Sequence, residues 1–134
     1  MQNIVSIGLQ EAKVIVAAAR AKAEAEGWTV AIAIVDAGGN LILFECADGT
    51  QLGSIQVAQD KAKTALMFKR PSKALEDVVL AGKVHMANLT GALPIEGGLP
   101  IVLNGAIVGA IGVSGVQSAQ DGIIAQSGVA ALHQ

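Results

Sequence analysis

The sequence predicts an α+β fold, an antiparallel sheet packed against helices. Two hairpin signals lie far apart, at residues 28–45 and 98–113. Helical apolar spacing fills the segments before, between and after them. Two separated hairpins favour an antiparallel sheet with helices over a doubly wound parallel sheet. The 134 residues suit one domain, 1–134, with no linker, charge block, low-complexity stretch or internal repeat.

Residues 4–26 read as a first helix, because Leu9, Ala12, Val16, Ala19 and Ala23 recur at three- and four-residue steps. Lys13, Ala17, Arg20 and Glu24 form a separate, more polar stripe, and Gly27 is a plausible stop. Trp28 to Val35 is rich in β-branched residues and apolar on both parities, which predicts a strand buried on both faces. Asp36-Ala-Gly-Gly-Asn40 is the turn and residues 41–45 are the returning strand. Residues 54–68 are helical again, with Ile55, Ala58, Ala62, Ala65 and Leu66 on one face. Pro71 ends that helix, and Ser72 caps a shorter one up to Gly82. Residues 83–97 carry no clear period. Residues 98–103 and 106–113 flank Asn104-Gly105, the strongest short hairpin signal. Ser118-x-x-Asp121 reads as a capping box opening a last helix to about residue 132, with Ile124, Gly128, Ala131 and Leu132 inward.

Composition narrows the function. Hydrophobic residues make up 52% and charged residues 15%, too apolar for a disordered chain. With Trp28, Phe44 and Phe68 as the aromatics, the core must be aliphatic. A net charge of −2 argues against a nucleic-acid partner, which needs a basic patch with stacking aromatics. No apolar run approaches the ~20 residues that span a bilayer. The N-terminus lacks a basic region followed by an apolar one, so no secretory signal and a cytoplasmic location are expected. Cys46 alone makes neither a disulfide nor a cysteine metal cage. So little charge on so small a chain leaves apolar surface over, which predicts a homo-oligomer.

Several residues can carry chemistry. Lys61 and Thr64 lie three apart and project together from a helix whose other face is apolar. Lys61 is either a snorkelling lysine or a partly buried base or carboxylate holder. Lys69-Arg70-Pro71 complements the helix dipole, or forms an anion clamp with Arg70 on a carboxylate. Glu96 is a candidate general acid or base beside Gly97-Gly98, whose amides can approach a ligand or simply lead tightly into a strand. Ser114 lacks triad partners, so it is no nucleophile, but the following helix start is an anion site. Asp36 reads as its turn's own hydrogen-bonding residue and Asp121 as the helix cap. His85 and Met86 are types that ligate haem iron, yet neighbours on a helix point about 100° apart. His133 is nearly terminal, and two histidines with no shared motif make no metal site. The expected site joins Lys61, Thr64, Arg70 and Glu96 around a carboxylate-bearing ligand near a subunit boundary.

Five segments in order resemble one family. They are Ile34-Val-Asp-Ala-Gly-Gly-Asn-Leu41, Ala58-x-x-Lys61-Ala-x-Thr64-Ala65, Gly97-Gly-Leu-Pro-Ile101, Gly109-Ala-Ile-Gly-Val-Ser-Gly115 and Asp121. The chain is similar to the GlcG/HbpS family, also called haem-binding HbpS-like or DUF336, and most to its short GlcG-type members. The C-terminal domain of PduO-type cobalamin adenosyltransferases belongs to the same group. The resemblance covers about residues 5–132. It implies a profilin-like antiparallel sheet of about five strands, and homo-oligomers from dimers to octamers. It implies haem or corrinoid as ligand for some members and catabolism of small organic acids for others. Where the family often has Arg-Met-Asp after the first hairpin, this chain has Cys46-Ala47-Asp48. A small-ligand-binding protein is the expected function, with a small lyase, hydrolase or isomerase acting on an organic acid as the alternative.

Overall fold

The computed structural model describes residues 1–133. Its elements in chain order are α1 (Leu9–Glu26), β1 (Ala31–Asp36), β2 (Leu41–Cys46), α2 (Ser54–Phe68), α3 (Ser72–Leu80), a 3₁₀ turn (Val84–Asn88), β3 (Gly98–Leu103), β4 (Ala106–Ser114) and α4 (Ser118–Ala131). The sheet is antiparallel throughout, in the order β2-β1-β4-β3. It has four strands among the described residues, where about five were expected. The segment before α1 is held to β4 by a bond from the Ile7 amide to the Val108 carbonyl, 2.8 Å, without becoming a strand.

Strand periodicity sorts the core into two layers. Ile32 and Ile34 of β1, with Ile101, Ile111 and Val113, face Ile15, Val16 and Ala19 of α1 and Ile124 of α4. Ala31, Ala33 and Val35 face the other way, with Ala110, onto Ala58, Ala62 and Ala65 of α2. The all-alanine face of α2 has a reason. A Cβ at Gly112 would overlap the Ala58 carbonyl, so α2 lies backbone against backbone on β4.

The turns form as their residues dictate. Asp36 Oδ1 accepts from the Gly38 and Asn40 amides, both at 2.9 Å, and Gly39 takes φ +83°. Asn104 and Gly105 both have positive φ, the signature of a two-residue hairpin turn. Several boundaries differ from expectation: Ser72 is the first residue of α3 and not its cap, which is Pro71, and α3 ends at Leu80 rather than Gly82. α1 begins at Leu9 and not at residue 4, since Gly8 precedes it in extended backbone and donates its amide to the Glu11 carboxylate at 3.1 Å. β1 begins at Ala31. α4 is capped from Gln117, whose amide donates to Gln120 Oε1 at 3.2 Å, and Ser118 lies inside the helix. Among the described residues no helix is long and apolar enough to cross a membrane, and no three His, Cys, Asp or Glu side chains group around a possible metal site.

Candidate functional site

Lys61 is the largest side chain in the interior, 2% exposed, and so does not snorkel. Its Nζ donates to Asp121 Oδ2 at 3.1 Å and to the Val113 carbonyl at 3.0 Å. Asp121 is equally buried, and its other oxygen accepts from the Val116 amide at 3.2 Å. The pair thus ties α2 to α4 and β4, and Asp121 anchors the chain ahead of α4 in place of the expected cap. Burial pushes the Asp121 carboxyl above its ordinary value, against the lowering pull of Lys61.

The glycine loop closes over this pair. Gly97 has φ +134°, and a Cβ there would stand 2.5 Å from the Val113 oxygen and 2.8 Å from Lys61 Nζ. Glu96, Gly97 and Gly98 border a hollow of about 330 Å³ with Lys73 and Ile123. A Cβ at Gly122 would sit 2.5 Å from Glu96 Oε2, so bare backbone makes room for that carboxylate. Lys61, Glu96, Gly97 and Gly98 therefore come together.

The other candidates do not join them. Thr64 is fully buried, donating to the Asp60 carbonyl at 2.7 Å and accepting from the Leu93 amide at 2.8 Å. Arg70 is exposed and donates Nε to the Phe68 carbonyl, 2.8 Å. Ser114 bonds the hydroxyl of Ser54 at 2.9 Å in the interior. His85 is exposed on the 3₁₀ turn, and His133 is exposed beyond α4.

A hollow of about 720 Å³ was not anticipated. It lies where the leading segment, the Asp36–Asn40 turn and the end of α2 meet. Ile4, Leu66, Met67 and Ile107 give it apolar walls, and Lys63 and Lys69 bring two ammonium groups with no acid in the lining. Neither lysine is in an ion pair among the described residues. Lys69 has φ +56°, one of two non-glycine residues in left-handed backbone among the described residues. Such strain persists where the surroundings impose it and gathers at functional sites. The sequence hint was there, a lysine where helix ends prefer glycine. A third hollow, about 390 Å³, is lined by Trp28 and Cys46, with Glu24, Glu45 and Asp48 outnumbering Arg20.

The fold has close counterparts. The family model described as "Haem degrading protein HbpS-like" matches residues 7–130. Protein GlcG of Escherichia coli (strain K12) is 35% identical over 114 residues, 85% of each chain. The crystal structure of Klebsiella pneumoniae protein ORFY, of the DUF336 family model, superposes with a TM-score of 0.92 at 28% identity, covering 99% of this chain and 94% of that one. The crystal structure of the PduOC:Heme complex superposes with a TM-score of 0.86 at 28% identity, covering 95% of each chain. With a matched model spanning nearly the full length and a relative sharing a third of its residues, the chain belongs to the HbpS-like (GlcG, DUF336) family.

Proposed function

We propose that this chain binds haem or a related tetrapyrrole in the 720 Å³ hollow at the end of α2, as a single-domain homo-oligomer of the cytoplasm. One observation carries the reading: this hollow combines apolar walls with two lysines that pair with no acid among the described residues, and no acid lines it. A haem presents an apolar macrocycle and two propionates, so both halves of the ligand meet their complement. The volume falls within the ~300–1,000 Å³ of ligand pockets. By contrast, the hollow at Trp28 carries an excess of carboxylates that repels propionates. Support comes from the similarity to PduOC, crystallised as a complex with haem, and from the family description. In this reading Thr64 and Ser114 hold the scaffold. Lys61 does so too, beneath Gly97 and Gly98, and Glu96 serves the smaller hollow.

Haem titration followed by the Soret band tests the proposal. Exposed ion pairs contribute about 0.2–1 kcal/mol each. Reversing both lysines, Lys63→Glu with Lys69→Glu, adds repulsion and is expected to weaken binding roughly tenfold or more. Lys69→Gly relieves left-handed strain, so it is expected to weaken haem binding without lowering stability. Glu96→Gln is expected to change nothing. Unchanged affinity in the double reversal overturns the site.

A further inference from the structure

We infer that the 330 Å³ hollow beside the glycine loop binds a small primary ammonium, the charged end of a short aliphatic amine. This site lies apart from the hollow at the end of α2 and stands whether or not that one takes haem. Three observations carry it. The first is a carboxylate with no cation of its own. Glu96 lines the hollow, and its side chain forms no ion pair among the described residues. Two lysines stand close, and both are engaged elsewhere. Lys61, beneath Gly97, is buried against Asp121 at 3.1 Å. Lys73 lines the hollow and feels the charge of Glu96, but its ammonium holds both oxygens of Asp77, at 2.9 and 3.0 Å.

The second observation is that the fold makes room for this carboxylate and holds it. Gly122 presents bare backbone where a Cβ would stand 2.5 Å from Glu96 Oε2. The Glu96 amide donates to Glu76 Oε1 at 3.2 Å, and the next carbonyl, that of Gly97, accepts from the Val113 amide at 2.9 Å. The backbone is pinned on both sides of the side chain, so a ligand meets a carboxylate already in position. The third is the chemistry of the walls. Pro71, Leu99 and Ile123 give a hydrocarbon stem a place out of water. Gln126 adds a side-chain carbonyl, a further acceptor for an ammonium that has three protons to donate.

Charge decides the sign of the ligand. Asp77, Glu96 and Glu76 all act on Lys73, three carboxylates to one ammonium. Asp77 takes that ammonium and Glu76 takes the Glu96 amide, which leaves the Glu96 carboxylate over. The surplus is negative, so it attracts an ammonium and repels a carboxylate. The hollow at the end of α2, with two lysines and no acid, has the opposite sign.

Propylammonium chloride and sodium propionate are matched in length and opposite in charge. Each is titrated into the full chain at equal ionic strength, with the Gly97 and Gly122 amide signals followed by NMR. Propylammonium is expected to shift both signals to saturation, and propionate to shift neither. Glu96→Gln keeps the shape and removes the charge. It is expected to weaken propylammonium roughly tenfold or more, the loss of one charge-assisted hydrogen bond. Lys73→Met removes the neighbouring cation and is expected to tighten binding. Lys63→Glu with Lys69→Glu, in the other hollow, is expected to leave it as in the parent. Far-ultraviolet circular dichroism checks that each variant folds. Equal affinity of the parent and Glu96→Gln overturns the inference. So does propionate binding as tightly as propylammonium, or the absence of a saturable shift with propylammonium in the parent.

Discussion

Lys61 and Asp121 bring an ammonium and a carboxylate into the interior, at 2% exposure each. Such a pair contributes little net stability compared with an apolar replacement, yet breaking it is costly. Lys61→Met strands the Asp121 carboxylate and is expected to cost about 3–5 kcal/mol. Lys61→Met with Asp121→Leu is expected to recover most of that loss. A double-mutant cycle by urea unfolding checks both, and additive losses would exclude the coupling. The same pair makes stability depend on pH. Burial, the leading cause, raises the Asp121 carboxyl above 3.8 in the folded chain, while Lys61 and the Val116 and Gly115 amides pull it down. A raised folded value means the folded state holds the proton more tightly. The stability Asp121 contributes is therefore full below 3.8 and is lost as the pH rises through its folded value. Asp121→Asn removes that loss, so its stability profile is expected to be flatter than the parent's as the pH rises above 3.8. Parallel profiles in urea titrations across that window would reject this account.

At the scale of elements, α2 is the hinge between fold and site. One face carries Ala58, Ala62 and Ala65 against the sheet, and its last turns carry Lys63, Leu66 and Met67 to the large hollow. The helix can lie so close because Gly112 has no side chain, and a Cβ there would strike both the Ala58 carbonyl and the Ala62 amide. Gly112→Ala must lift α2 from β4. Overpacking of this kind costs about 1–3 kcal/mol. Thermal unfolding is expected to report that loss, with weaker haem binding because the end of α2 moves with the rest. Equal melting of parent and variant would show that α2 does not rest on this contact. The segment after α3 follows another logic. Residues 83–97 have no apolar period because they are held from outside, by Thr64 on the Leu93 amide, Ser72 on the Ile95 carbonyl and Glu76 on the Glu96 amide. No local pattern reveals such borrowed partners.

At the scale of the molecule, the aliphatic composition leaves large side chains outside. Leu52 is 83% exposed, Leu80 77% and Val84 67%, on three separate segments. Assembly into a homo-oligomer, as proposed, would give such side chains a place to be covered. The protein is expected to sediment as a multimer at micromolar concentration. A monomer boundary in sedimentation velocity would refute the proposed homo-oligomer.

What the sequence determined by itself is what short-range chemistry controls. Asn104-Gly105 and Asp36-Ala-Gly-Gly-Asn40 specify their hairpins because backbone twist and positive φ are local demands. The spacing of Ala12, Val16, Ala19 and Ala23 specifies the inward face of α1, and all four are buried. The sequence grouped Lys61 with Thr64, Arg70 and Glu96 around one polar site, and did not show that Lys61 lies beneath Gly97 and Gly98, sealed in by Asp121. Its burial depends on a partner 60 residues away. Only the tertiary structure decided where a ligand of haem's size finds room. Residues 2–4, 37–39 and 63–69 each carry one wall of the large hollow, and no segment alone shows more than an ordinary turn, strand lead or helix end. Volume and the balance of charge around it arise when distant segments pack together, and local pattern does not encode them.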